Sequence, residues 1–305
     1  MTDICCVGHI TLDKVVTTKA VVHMAGGTSF YFSNAIRNMG VKYTLVTALA
    51  EKESYIVSDL RAKGIEIKLL PSAHTVYFEN IYTKDQDHRV QKVTQKADPF
   101  TVEQLLGVEA RIFHLGPLLA DDMPVELIRT LSQRGMVSLD VQGYLRKVQN
   151  TDVCPIEWPA KKEALRYVSI LKANESEMLV LTGNEDVRES ARILHDWGVK
   201  EVVITLGSRG SVIYKEGVFY DIPAYVPATS VVDATGCGDT YMAGYLSQRI
   251  KGAGIQDAGE FAAAMASLKI ESSGPFTGTA KDVFQLQANC EKRRLVFDLP
   301  QREVS

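Results

Sequence analysis

Apolar and polar positions along this chain follow two rhythms, and the rhythm changes where the architecture should change. Short apolar runs read as strands buried on both faces: "ICCVG" from Ile4, "YTLVTALA" from Tyr43, "ARIFHLGPL" from Ala110, "GMVSLDV" from Gly135, "RYVSILKAN" from Arg166 and "EVVITLG" from Glu201. Between them lie helical stretches: "FYFSNAIRNMG", "SYIVSDLRAKG" closed by Gly64, "MPVELIRTLSQRG" and "VRESARILHDWG". A longer one, "DAGEFAAAMASLKIESS", is expected to cover one face of the sheet near the end of the chain. This alternation predicts a doubly wound α/β sheet.

Two segments keep a strand-like alternation with no helix between them: "LDKVVTTKAVVHMAG" and "HTVYFENIYTKDQDHRVQKVTQKADP". They predict antiparallel strands outside the main sheet, at residues of about 12–25 and 72–97. Ligands of parallel sheets bind outside the carboxyl ends of the strands, so a β-appendage there would act as a lid. With no repeat and no linker of domain-boundary length, residues 1–305 read as a single domain with a small antiparallel β-lid.

Composition narrows the function classes. Hydrophobic residues make up 46% of the chain and charged residues 23%, and the net charge is −3. Neither nucleic acid nor a membrane surface is then expected as the main partner, and an anionic cofactor would need a local source of positive potential. No apolar run reaches about 18 residues, and "MTDICCVGHI" lacks the basic start of a signal peptide, so a cytoplasmic location is expected. The cysteines Cys5, Cys6, Cys154, Cys237 and Cys290 are odd in number and form no CxxC pair, which suits reduced thiols. The histidines have no ligand spacing. Walker and strand–GxGxxG–helix signatures are missing, which leaves a zinc site, a P-loop fold and an NAD-dependent dehydrogenase without support.

The chemistry concentrates in "VVDATGCGDTYMAGYLSQRI", Val231 to Ile250. A helix N-terminus presents unpaired N–H groups and partial positive charge, and small residues ahead of it let an anion approach closely. Gly236, Cys237 and Gly238 are thus expected to form an anion hole for a transferring phosphoryl group. Asp239, at the helix start, could take the proton of an attacking hydroxyl, or could be only a helix cap.

"DATGCGDTY" resembles the C-terminal signature of the ribokinase-like (PfkB) carbohydrate kinases, with Cys237 and Tyr241 where that family usually has Ala and Phe. The likeness extends along nearly the whole chain. It implies a three-layer αβα domain with a mostly parallel sheet, transfer of the ATP γ-phosphoryl group to an alcohol, and Asp239 as catalytic base. "VGHITLDKVV" looks like the family's first strand and acceptor-binding Asp, here Asp13. "MAGGTSFYFSNAIRNMG" matches its Gly-Gly motif, with Gly26, Gly27 and Thr28 implied at the acceptor. Tyr31 replaces a common Asn, whereas Ser33 and Asn34 resemble the inositol-kinase branch or are plain helix-face residues. "SLDVQGYLR" points to the same branch and implies Gln142 and Arg146 at the cleft mouth.

For the donor, "LKANESEMLVLTG" carries the family's N-x-x-E element at Asn174 and Glu177, implying that they position Mg²⁺ and phosphates; a helix cap explains the spacing equally well. "TLGSRG" supplies Thr205, Gly207 and Gly210 as a nucleotide shelf or a simple hairpin turn. The adenine is expected between this loop and the helix around Ala262 to Ser267. No direct protein ligand for a metal is assigned. Many relatives use K⁺ beside the anion hole, which would involve Asp233. The expected function is therefore an ATP- and Mg²⁺-dependent kinase for a small polyol, inositol before ribose, fructose, 2-keto-3-deoxygluconate or a nucleoside. A non-catalytic sugar-binding protein on the same fold is the other class. Lid edges in need of cover would suit a homodimer.

Overall fold

Successive side chains of a strand point to opposite faces, and the first strand shows what this chain does with both. Ile4 and Cys6 enter one hydrophobic core and Cys5 and Val7 enter a second, all without solvent exposure. A sheet buried on two faces needs a helical layer on each, which is why the strands read as unbroken apolar runs. The computed structural model describes residues 1–16, 21–82 and 89–289. The parts of the expected lid at 17–20 and 83–88, and Cys290, lie outside the described residues.

In chain order the strands are β1 (Thr2–Val7), β2 (Thr11–Val16), β3 (Val21–Gly26), β4 (Tyr43–Leu49), β5 (Glu66–Pro71), β6 (Val76–Tyr82), β7 (Arg89–Gln95) and β8 (Ala110–Leu115). They continue with β9 (Met136–Asp140), β10 (Arg146–Gln149), β11 (Asp152–Pro155), β12 (Ile170–Asn174), β13 (Glu201–Thr205), β14 (Ser211–Lys215) and β15 (Val218–Ile222). The main sheet has the order β15-β14-β13-β12-β9-β8-β1-β4-β5. It is parallel from β13 to β5, with β14 and β15 added antiparallel at one edge.

The helices Thr28–Ile36, Cys237–Ile250 and Ile255–Ile270 pack on one face, where Phe32, Met242, Leu246, Phe261 and Met265 share a core. The helices Val125–Ser132, Glu175–Thr182 and Val187–Asp196 cover the other through Leu127, Met178 and Leu194. Full burial of each such side chain contributes roughly 1.5–3 kcal/mol, so the layering is strongly determined.

The second sheet, β10-β11-β7-β6-β2-β3, contains the segments expected to form a lid, and it is larger than the sequence suggests. Residues 146–155 add two strands to those expected at 12–25 and 72–97. Within an otherwise antiparallel sheet, β2 and β6 pair in parallel. Lid and main domain share side chains: Val76, Phe78 and Val93 pack with Leu118 and Leu119 from the loop after β8. That contact sets the lid over the carboxyl ends of the strands.

Candidate active site

The ends of β9, β12 and β13, the lid and the start of the Cys237–Ile250 helix enclose one cleft of about 1340 Å³. Asp13, Gly27, Thr28, Gln142 and Arg146 line it, as do Asn174, Thr205, Gly207 and Gly210. Asp233, Gly236, Cys237, Gly238 and Asp239 line it too. Of the residues expected at the site, Gly26 and Glu177 stand behind the surface.

Gly236 is the N-cap of the helix with φ 76°, the left-handed region that favours glycine. A side chain there would also overlap the Tyr31 ring, which is 3% exposed. Tyr31, where the family commonly has Asn, thus forms a floor under the helix start. The Cys237 N–H is spent on the Ala234 carbonyl at 3.2 Å, whereas Gly238 and Asp239, in the first turn, have no acceptor within the helix. A Cβ on Gly238 would stand 3.2 Å from Lys172 Nζ. Burial pushes the Cys237 thiol up to about 11, so it serves as packing rather than as a nucleophile.

Asp239 lies half-buried at this start, its remaining surface opening on the cleft. Burial, then the neighbouring Asp140 carboxylate, raise it to about 7 against the opposing pull of Lys172 and a hydrogen bond from Thr28. A carboxyl poised near neutral pH is the state a general base needs. The helix Thr28–Ile36 brings the Thr28 hydroxyl to that carboxyl, so the two motifs at opposite ends of the sequence form one unit.

Lys172, which sequence reasoning missed, sits beneath this unit with 6% of its side chain exposed. Its Nζ donates to Asp140 Oδ2 at 2.9 Å and lies 3.7 Å from Glu177 Oε2. Burial alone would lower its pKa, but Asp140 and Glu177 overcome that and hold the ammonium charged. The pair comes from adjacent strands, Lys172 opposite Asp140 in the β12–β9 register.

Asn174 caps the Glu175–Thr182 helix in a full capping box: its Oδ1 accepts from Glu177 N at 2.9 Å, and Glu177 Oε2 accepts from Asn174 N at 2.8 Å. Gln142 Nε2 donates to Glu177 Oε1 at 3.3 Å. Both Glu177 oxygens are therefore engaged within the protein; Asn174, Glu175 and Ser176 meet the cleft instead. Thr205, Gly207 and Gly210 do form a hairpin between β13 and β14, and the same turn is a cleft wall opposite Ala263, Ala266 and Ser267.

On the lid side, Thr11 Oγ1 donates to Asp13 Oδ1 at 2.6 Å. The Asp13 carboxylate lies so close over Gly26 that a Cβ there would collide with it, which is why the motif needs its first glycine. Asn80 and Gln91 were not singled out by sequence, because each is one polar residue in an alternating strand. They pair across β6 and β7, Gln91 Nε2 donating to Asn80 Oδ1 at 2.9 Å, and both line the cleft. Ser33 and Asn34 are the helix-face residues of the plainer reading: Ser33 bonds the Tyr43 hydroxyl at 2.7 Å and Asn34 bonds the Phe30 carbonyl at 2.9 Å.

Asp233 was expected beside K⁺. Its carbonyl instead accepts from Lys269 Nζ at 2.9 Å, and its carboxylate lies 3.5 Å from the same nitrogen. Among the described residues, no group of three or more His, Cys, Asp and Glu side chains is arranged to hold a metal ion. No helix among them is long and apolar enough to cross a membrane.

A mostly parallel sheet between two helical layers, with a smaller second sheet beside the cleft, is the ribokinase-like architecture. The chain belongs to the pfkB family of carbohydrate kinases, whose family model matches residues 1–281. Its members transfer phosphoryl groups to sugars and nucleosides, and the chain is a phosphotransferase of this class. A cytidine kinase of Thermococcus kodakarensis is 30% identical over 267 residues, spanning 84% of this chain and 92% of that protein. A pyrophosphate-dependent kinase of the ribokinase family, solved with a pyrophosphate analogue and myo-inositol, is 30% identical with a TM-score of 0.84. That match covers 92% of this chain and 99% of the other. Arabidopsis thaliana ribokinase, solved with ribose and ATP, shares the fold at a TM-score of 0.74 and 22% identity, over 93% of this chain and 98% of its own.

Proposed function

We propose that this kinase transfers the γ-phosphoryl group of ATP to a hydroxyl of a small polyol, with an inositol as the leading acceptor. The observation that carries the reading is Asp239, raised to about 7 in the cleft, between the Asp13 wall and the Gly236–Gly238 turn. The acceptor hydroxyl hydrogen-bonds the Asp239 carboxylate. As its oxygen forms the bond to the γ-phosphorus, its proton passes to Asp239 and the bond to the bridging oxygen breaks, releasing ADP. The first-turn N–H groups stabilise charge on the transferring oxygens, and Lys172 adds positive potential from below. Asp13, Gln142, Arg146 and the Asn80–Gln91 pair offer the several acceptors and donors that a ring of hydroxyls requires.

Mg²⁺, bound with the donor, would neutralise phosphate charge while keeping its own waters; Asn174 and Glu175 at the cleft wall would meet those waters, although Asn174 Oδ1 already accepts from Glu177 N and Ser176 Oγ and Glu175 is paired with Arg209. Glu177 acts one layer back, fixing Asn174. Beyond the Thr205–Gly210 hairpin the cleft is lined by Ala224, Pro227, Val231, Val232, Ala263 and Ile270, an apolar stretch that suits a nucleobase. The edge strand β3 exposes Val21 and Val22, which supports a homodimer through the lid, to be tested by analytical ultracentrifugation.

A second reading keeps the acceptor and exchanges the donor for pyrophosphate. Likeness to the pyrophosphate-dependent kinase, at a TM-score of 0.84, favours it. One experiment tests both: donor consumption with ATP or pyrophosphate against a panel of inositols, sugars and nucleosides. ATP-dependent turnover of an inositol supports the first reading. Turnover with pyrophosphate alone replaces the donor, and a nucleoside preference overturns the acceptor.

A further inference from the structure

Lys269, close to the anion-hole turn, has no task in the phosphoryl-transfer scheme. It sits in the last turn of the Ile255–Ile270 helix, yet its side chain is wholly buried. A buried ammonium is expensive unless its surroundings replace water. Here they do. Nζ donates to the Asp233 carbonyl at 2.9 Å and to the Ser272 carbonyl at 3.2 Å, and Asp233 Oδ2 lies 3.5 Å away. An ammonium has three donors, and three oxygens from two separate loops converge on it.

These contacts fix the chain that leads into the anion hole. Asp233 Oδ1 also accepts from Thr235 N at 2.9 Å, one residue before Gly236. Val232 N and Asp233 N donate to the Ile270 carbonyl at 2.9 and 3.3 Å. The Lys269 charge therefore ties the helix end to the turn whose N–H groups face the donor. Two carbonyl oxygens and a carboxylate around one positive centre are also the shell a monovalent metal ion would take, and in this chain that shell is already filled.

We propose that the Lys269 ammonium is a built-in monovalent cation that positions the anion-hole turn, so that the enzyme works without K⁺. The proposal rests on the reading of Gly236–Gly238 as the phosphate-facing turn. Lys269 touches neither donor nor acceptor; it is a positioning residue acting through Asp233. Removing its charge leaves the Asp233 and Ser272 oxygens facing each other without a counter-ion, and the turn loses its register. A free cation of similar size should then restore it.

The test starts with the unaltered protein. Turnover and donor KM are measured at constant ionic strength in potassium, sodium or choline chloride, together with the melting temperature in each salt. All should agree within about twofold, the scatter such small surface effects produce. In Lys269→Ala, kcat/KM for the donor should fall by about 100-fold, as misplacement of a reacting group does. Potassium, ammonium or ethylammonium, but not choline, should recover at least about tenfold of that loss. The same ions should raise the melting temperature of Lys269→Ala while leaving the unaltered protein where it is, a readout independent of turnover. Lys269→Met, which fills the space without charge, should be impaired and not rescued.

Strong activation of the unaltered protein by K⁺ over Na⁺ overturns the proposal, as does a folded Lys269→Ala with normal donor kinetics or with a loss that no cation repairs. Should Lys269→Ala not fold in any salt, the salt comparison on the unaltered protein still decides. If instead Asp239→Asn stays active, the reading of the turn itself has failed, whatever the salts do.

Discussion

Two buried lysines flank the start of the Cys237–Ile250 helix, and their surroundings differ in kind. Lys172 faces the carboxylates of Asp140 and Glu177, with Asp239 close by. Lys269 faces the carbonyls of Asp233 and Ser272 and the Asp233 carboxylate. On the first side negative groups outnumber the cation, and burial first, then the Asp140 carboxylate, push the Asp239 carboxyl up to about 7. On the second side charge and oxygens match, and the result is a fixed backbone. In the proposed mechanism the first region tunes the base and the second holds the turn beside it, from opposite sides of the same helix start.

The contrast can be broken first at the base itself. Asp239→Asn should cut kcat by about 10³-fold, within the range that loss of a general base produces, with donor binding nearly unchanged. Isothermal titration with the donor beside steady-state kinetics separates the two.

Removing the cation of the first side comes next. Lys172→Met leaves Asp140 and Glu177 buried without a counter-charge, at a cost of about 3 kcal/mol in denaturant-unfolding experiments. Because Lys172 holds the Asp239 pKa down, any activity left should need a more alkaline pH. Gly236→Ala attacks the second side at its hinge. The φ of 76° and the Tyr31 ring both oppose a side chain, and kcat should fall by about 100-fold, as loss of one oxyanion-hole donor does.

The smallest effect is on stability. The Asp239 pKa is raised on folding, so the protonated acid is the form that folding favours. That contribution is fully present below the unfolded carboxyl value and is lost as pH rises through about 7. Asp239→Asn should therefore be more stable than the unaltered protein above pH 7 by about 2 kcal/mol, discounted for the partial exposure of the group. Near pH 4 the two should melt together. Melting curves at pH 4 and pH 8 check both ends.

The comparison also explains what the sequence revealed. Main-sheet strands were legible because burial on two faces leaves a continuous apolar run, as in β1 and β4, where nothing but packing decides the residue. Asp239, Gly236, Gly238, Asn174 and Asp13 were singled out because their stretches resemble the family's motifs, where spacing alone left a cap or a turn as good a reading, and the fold brings all five to one cleft. β10 and β11 were not: each has four half-polar residues, joined through Asn150 at φ 60°. The two lysines were hidden for another reason. Lys172 interrupts an apolar strand and Lys269 ends an apolar helix, and each gains meaning only from partners 32 and 36 positions away. No spacing rule reaches that far, although a lysine inside an otherwise buried run is a signal worth following. Glu177 shows the reverse: the spacing was read correctly, but its carboxylate is spent on Asn174 and Gln142.

The pH dependence of kcat/KM for the acceptor, measured on the unaltered protein and on Asp239→Asn, bears most directly on the claim that this carboxyl is the base. The unaltered enzyme should lose activity on the acid side with unit slope and an inflection near 7, and the variant should be slow and flat through that range. An acid limb that persists in the variant, at turnover close to the original, would contradict the account.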